Sequence, residues 1–247
     1  MGRKGQVSAL LIICAVILIT ISLVSLINSP ERTSLPAQKA QTEDPLPEQT
    51  KQFVTACLQS TLEDGVRSVA NRGGFYPIPP EMEAYEKIVP FYITPKYSRI
   101  PTDTEISGSI ERYVQDGIWA CLDEFDTFKR EGAMIIAGKP VARATMRSRD
   151  VMIEAQMPIT IDHDGRTTAI DDFQASTQAR LPEMAAIARE ATVAQEAVAF
   201  DRLEDLLRKP GFKGNIMIDN ETVVYMITDP ASKITFGASV KNKRVAR

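Results

Sequence analysis

The sequence predicts an α+β protein, with an N-terminal transmembrane helix followed by an ectodomain of helices packed on antiparallel β-sheet. An uncharged apolar run of 21 residues begins at Val7. Two long segments behind it repeat apolar side chains with a period of 3.6, and from Ala133 the period falls towards 2. The resulting order ααβββαβββ separates helices from strands, which is typical of α+β domains.

The apolar run, from Val7 to Ile27, contains no charge, proline or glycine. As a helix it would be about 31 Å long, close to the thickness of the hydrocarbon layer of a bilayer. Arg3 and Lys4 precede it and favour the cytoplasmic side for residues 1–6, so residues 28–247 are expected outside. The expected partner of residues 7–27 is therefore a lipid bilayer. A cleaved secretory signal is an alternative, although this run is longer than a usual signal core and no A-x-A site follows it.

The start of the chain, Lys4-Gly5-Gln6-Val7-Ser8, resembles the class III signal segments of archaeal type IV pilin-like proteins. The resemblance implies cleavage between Gly5 and Gln6, with the apolar helix kept in the mature chain. Leu10 stands where that family has an acidic residue. A plain single-pass anchor with no cleavage is the alternative.

Residues 28–47 contain four prolines and few large apolar side chains, so we expect a semi-extended stalk. The ectodomain is expected over 48–240, with a sub-boundary near residue 130. The net charge of the chain is −3, while the first four residues carry +2 and the basic tail 241–247 carries +4, so the body between them carries −9. An acidic body argues against nucleic-acid binding. The tail could touch anionic lipid or an acidic polymer, or remain a solvated terminus.

The first ectodomain helix is predicted over 48–71 and ends at Gly73-Gly74. A second helix opens at the capping box formed by Thr102 and Glu105. Six prolines between them, within 75–101, predict a loop with short extended pieces and exclude a long helix or a central strand. The aromatic side chains of this segment either pack into the core or line a binding surface.

The strands are predicted in two groups. The first comprises 133–138, 141–147 and a hairpin in which Asp164-Gly165 joins 152–162 to 166–178. A helix follows over 181–207, with a break near Phe200-Asp201. The second group of strands comprises 215–219, 222–228 and 233–240.

Cys57 and Cys121 each lie in an Ala-Cys-Leu triplet on the expected apolar face of a helix. In a compartment outside the cytoplasm we expect them to form a disulfide. Two buried free thiols are the alternative. Cys14 lies in the apolar run and has no partner.

No catalytic motif stands out, so the sequence predicts no enzyme, no catalytic residues, no cofactor and no metal site. The single histidine lies in Asp162-His163-Asp164, where a metal or acid–base role competes with a solvated hairpin tip. The carboxylate pairs Asp171-Asp172 and Asp123-Glu124 are expected to be solvated. Asn220 begins an Asn-Glu-Thr sequon and is a candidate glycosylation site between two strands.

Several short motifs together resemble a group of uncharacterised, membrane-anchored archaeal proteins. The motifs are Gly5-Gln6-Val7-Ser8, Ala56-Cys57-Leu58, Arg72-Gly73-Gly74, Ala120-Cys121-Leu122, Met157-Pro158-Ile159, Asp172-Phe173, Arg180-Leu181 and Val224–Pro230. The resemblance implies architecture and a membrane location, and it implies no activity.

These observations predict a single-pass membrane-anchored, extracytoplasmic protein with a structural or interaction role at the cell surface, with a pilin-like subunit as one version. Protein partners at the cell surface are expected. One alternative is an extracytoplasmic ligand-binding or sensory module with a cleft within 75–97. Another is an envelope hydrolase that uses carboxylates alone.

Overall fold

The computed structural model describes residues 44–197 and 200–241. The described residues form helices α1 (Leu46–Asn71), α2 (Asp103–Leu122), α3 (Asp126–Arg130), α4 (Leu181–Glu196) and α5 (Phe200–Leu207). The strands are β1 (Ala84–Tyr85), β2 (Val89–Ile93), β3 (Met134–Ala137), β4 (Val141–Met146), β5 (Asp150–His163), β6 (Arg166–Gln178), β7 (Lys213–Asp219), β8 (Thr222–Asp229) and β9 (Ile234–Lys241). No helix within these ranges has the length and apolar content needed to cross a bilayer. The expected membrane helix, the Gly5–Gln6 cleavage site, Cys14, most of the stalk and the tail beyond 241 lie outside the described residues.

Both long helices of the first half have the boundaries that the sequence indicates. α1 ends before Gly73 and Gly74, whose φ angles are +56° and +85°, a backbone region that favours glycine. At the start of α2 the Thr102 hydroxyl accepts a hydrogen bond from the Glu105 amide, and the Glu105 carboxylate accepts one from the Thr102 amide. The predicted capping box is confirmed.

The four-stranded sheet is built around β5. β6 pairs with one edge of β5 over its full length, while β4 and β3 follow one another along the other edge. Asp164 and Gly165, with φ of 50° and 71°, form the predicted two-residue turn between β5 and β6. Pro158 lies where the β5–β6 register shifts, so its missing N–H falls where the ladder is already interrupted.

The five-stranded sheet has the order β1-β2-β9-β8-β7. It corrects two expectations, since β2 lies inside the sheet despite Pro90 and pairs parallel, not antiparallel, with β9. The β2–β9 register is irregular just after the proline, between Phe91 and Ile93. The Ser239 hydroxyl also lies 3.2 Å and 3.0 Å from the carbonyl oxygens of Val89 and Pro90, which it bonds in place of a regular ladder.

One hydrophobic core joins both sheets and includes side chains on either side of residue 130. α1 and α2 pack together under the inner face of the four-stranded sheet, while α1 packs against β9 and α4 packs against β8 and β9. β5 alternates buried and exposed residues, so its second face is open to solvent. β8 and β9 are buried almost throughout. The chain is therefore α+β with one mixed and one antiparallel sheet.

Candidate functional site

The two ectodomain cysteines meet between α1 and α2. The sulfur atoms of Cys57 and Cys121 lie 2.07 Å apart, at disulfide distance, with their Cα atoms 5.5 Å apart. Cys57 is buried, whereas Cys121 is exposed at the border of the apolar stripe of α2. The pairing agrees with the sequence prediction, but the expectation that both lie on a buried face is correct only for Cys57. Cys121 is the solvent-facing member of the pair.

Asn220 lies where the sequence places it, in the two-residue turn between β7 and β8. Its side chain is exposed and its φ is 51°, which asparagine tolerates better than most residues. Thr222, the third residue of the sequon, starts β8 and is largely buried. The turn can present a sugar on Asn220, and occupancy stays a prediction.

The single histidine lies at the end of β5, next to the turn. His163 Nδ1 is 4.0 Å from the Asp164 carboxylate, and Asp162 points to the opposite side of the strand. In the described part of the chain no three His, Cys, Asp or Glu side chains are grouped so that they could hold a metal ion. These contacts are those of a residue at the end of a β-hairpin.

The aromatic side chains of 75–97 pack inward. Phe75, Phe91 and Tyr92 are buried, and burial raises the pKa of the Tyr92 phenol. The Tyr92 hydroxyl donates a 2.8 Å hydrogen bond to the Gly73 carbonyl oxygen. The Tyr97 hydroxyl accepts one of 2.8 Å from the Glu83 amide. These aromatics hold a loop against the core, as the packing interpretation predicts.

The exposed side of the four-stranded sheet, which we call the open face, carries a shallow groove of about 460 Å³. Its polar lining comes from neighbouring strands: Arg143 lies opposite Glu154, Glu154 opposite Gln174, and Gln156 opposite Asp172. Among the described residues neither Arg143 nor these two carboxylates forms an ion pair, so their charges are available to a partner.

Apolar side chains flank this groove on the strands β3 and β4. Met134, Ile136 and Val141 are 58%, 61% and 56% exposed, unusually high values for large apolar residues. Apolar side chains beside unpaired polar groups are a common composition for protein–protein contact. None of the sequence predictions includes this surface, although the alternation of exposed and buried residues in β3 to β5 contains the signal.

The carboxylates of the open face do not form the arrangement of a hydrolase. Glu154 and Asp172 are diagonal neighbours on one flat surface and do not face each other across a cleft. Asp171 lies at the register shift, and Asp123 and Glu124 have φ of 43° and 51° just after α2. The strand register places the carboxylates of β5 and β6, and the turn after α2 places Asp123 and Glu124.

A second polar cluster joins the start of α4 to the turn between β8 and β9. Arg180 Nη2 lies 2.7 Å from Asp229 Oδ1, and the Asp229 side chain is only 2% exposed. Burial raises the pKa of Asp229, but hydrogen bonds from Arg180, Ser232 and Ala231 outweigh it, so the pKa lies below its ordinary value. Both residues occur in the resemblance motifs, yet their contact depends on tertiary structure.

The Arg180–Asp229 cluster has a structural role. The guanidinium also donates to the Gly211 carbonyl oxygen and lies 3.9 Å from the centre of the Phe212 ring. With its hydrogen bonds directed to these neighbours, Arg180 links three segments of the chain.

No protein-family model matches this chain, and comparison with curated proteins and with solved structures finds no match either.

Proposed function

We propose that this chain is a single-pass membrane-anchored protein whose ectodomain lies outside the cytoplasm and has a structural or interaction role at the cell surface, with a pilin-like subunit as one version. The observation that carries the proposal is the Cys57–Cys121 pair at disulfide distance. Such pairs persist in oxidising compartments and are rare in the cytosol. The uncharged run at 7–27 and the cations before it supply the anchor and its orientation.

The open face supports an interaction role. A groove with unpaired polar groups beside exposed Met134, Ile136 and Val141 has the mixed composition of protein interfaces. The groove is shallow, and its carboxylates lie side by side. A macromolecular partner therefore fits it better than a small substrate.

Location is tested by thiol labelling of the full chain in a Cys14→Ser background. Cells are treated with a membrane-impermeant maleimide, with and without an impermeant reductant. We expect labelling only after reduction, because exposed Cys121 makes the disulfide accessible from outside. Thiols that stay unlabelled in intact cells with and without reductant but are labelled after permeabilisation, or recovery of the chain from the cytosolic fraction, would contradict the proposal; labelling without reductant would contradict only the disulfide.

Two further measurements examine processing. N-terminal sequencing of the membrane-extracted chain separates the pilin-like version, which starts at Gln6, from a plain anchor, which starts at Met1. A mass shift on deglycosidase treatment, lost in Asn220→Gln, would show a sugar on the β7–β8 turn.

A further inference from the structure

The edge strands of the two sheets differ in how they are protected against pairing with strands of other chains. The Glu111 carboxylate of α2 accepts a 2.9 Å hydrogen bond from the Ala144 amide at the edge of β4. On β6, the Gln59 side chain of α1 accepts a 3.3 Å bond from the Ser176 amide, and the register shift lies beside Asp171. Covering side chains, irregular pairing and charges are the usual means by which edges avoid pairing with other chains.

Among the described residues no side chain hydrogen-bonds the outer edge of the seven-residue strand β7, its pairing with β8 has no register shift, and its charges, Lys213 and Asp219, stand only at its two ends. Asp219 and Thr222 close a two-residue turn, so in the alternating antiparallel ladder the backbone groups of Gly214, Ile216 and Ile218 point away from β8. Within the described part of the chain these groups have no hydrogen-bond partner. Ile218 is 67% exposed and Met217 43% exposed. The strand offers a free main chain together with apolar side chains.

We propose that β7 pairs antiparallel with β7 of a second copy of this chain, across a two-fold axis at Ile216. The outward groups of Gly214, Ile216 and Ile218 then exchange about six hydrogen bonds. In this register Ile218 lies opposite Gly214 of the second copy, over which Leu207 packs, so the isoleucine would meet an apolar side chain. The two five-stranded sheets become one continuous sheet.

Charge fixes the register of this pairing. Lys213 starts the strand and Asp219 ends it, so an antiparallel pair centred on Ile216 places each lysine opposite the aspartate of the other copy. If the two-fold axis lay at another residue of β7, neither lysine would lie opposite an aspartate. The Asp219 carboxylate lies 3.4 Å from the Tyr85 hydroxyl, and its remaining lone pairs can accept from lysine.

Charge reversal tests the proposal in the full chain in detergent micelles, by sedimentation over a range of concentrations. Lys213→Asp and Asp219→Lys each place like charges opposite one another, so each should weaken self-association by about tenfold or more. Mixing the two single variants restores opposite charges in a mixed pair, and association should return. The double variant Lys213→Asp/Asp219→Lys should also self-associate.

Cross-linking tests the register itself in a Cys14→Ser background. Ile216→Cys places two thiols opposite each other across the axis, within the Cα separation that a disulfide allows, so oxidation should give a covalent dimer. Ile218→Cys is the matched control: its side chain is more exposed, but the two copies would lie about 13 Å apart along the strands.

Two results would overturn the proposal. One is a chain that stays monomeric at every concentration, with no gain on mixing the charge variants. The other is cross-linking through Ile218→Cys at least as fast as through Ile216→Cys, which would indicate random collision. Because these experiments measure association in micelles, they can fail while the thiol-labelling result on location stands, and the reverse also holds.

Discussion

The two sheets of this protein leave opposite parts of themselves uncovered. The four-stranded sheet exposes a face, while helix side chains cover parts of both its edges. The five-stranded sheet buries both faces of β8 and β9 and leaves an edge bare at β7. A face is recognised through side chains, which give chemical specificity, whereas an edge is recognised through main-chain hydrogen bonds, which any strand can supply. One unit can therefore make two kinds of contact at once.

The largest effect is expected from removing the link beneath the four-stranded sheet. Cys57→Ser/Cys121→Ser should lower the free energy of unfolding by about 4 kcal/mol, because the unfolded chain gains the freedom of a long loop. Urea unfolding of the full chain measures this, and amide exchange should show greater loss of protection in α1 and α2 than in β8 and β9. Cys14→Ser is the control and should leave stability unchanged. An equal loss of amide protection in α1, α2, β8 and β9 would show that the disulfide does not stabilise the helices beneath the four-stranded sheet preferentially.

A smaller loss is expected from Asp229→Asn, at the turn of the five-stranded sheet. The variant leaves Arg180 without its carboxylate and should cost about 2 kcal/mol near neutral pH, since Arg180 is partly exposed. The folded-state pKa of Asp229 is lowered, so its contribution is present above about pH 4 and is lost as pH falls through the folded-state value. Unfolding free energies of the two proteins should begin to approach each other below about pH 4 and converge only below the lowered folded-state pKa of Asp229. Asp172→Asn, on the open face, should change little, and a constant difference at every pH would contradict the assignment.

Removing an edge cover should cost less again. Glu111→Ala leaves the Ala144 amide without its acceptor and should destabilise the protein by about 1 kcal/mol. Glu111→Gln keeps an oxygen acceptor and should retain most of the stability. Hydrogen exchange at Ala144 is the readout, and we expect it to accelerate only in the alanine variant. Unchanged exchange there would mean that the edge of β4 does not depend on this cover.

The smallest effect has the opposite sign. The Tyr225 hydroxyl of β8 is buried and has no hydrogen-bond partner among the described residues, and burial raises its pKa. Tyr225→Phe removes an unsatisfied polar group at constant shape, so stability should stay the same or rise by up to about 1 kcal/mol. Thermal unfolding measures it. A clear loss of stability would show that the hydroxyl is satisfied in solution.

Local signals explain what the sequence could predict. Asp164-Gly165 defines the β5–β6 hairpin because its turn needs residues that tolerate positive φ. Thr102 and Glu105 define the start of α2 because each satisfies an amide of the other. The break between α4 and α5 falls close to the expected position at Phe200.

Contacts between distant segments could not be predicted in the same way. β2 pairs with β9 through Phe91 and Ser239, and the local rule about proline pointed away from an inner strand. The Ser239 hydroxyl, which donates to the Pro90 carbonyl oxygen, lies 149 residues further along the chain. The Arg180–Asp229 contact and the bare edge of β7 likewise follow from which strands become neighbours. Apolar periodicity identifies a strand but does not identify its partner.

The position of the sulfur bridge also determines how this unit would respond to mechanical tension applied from its N-terminal end. α1 begins at Leu46, so a pull can unwind the helix only as far as Cys57 before a covalent bond carries the force across to Cys121. The residues between the two cysteines are bypassed and bear no load. β1 and β2 lie in this bypassed part and would be shielded, whereas β3 to β9 follow Cys121 and would carry the force.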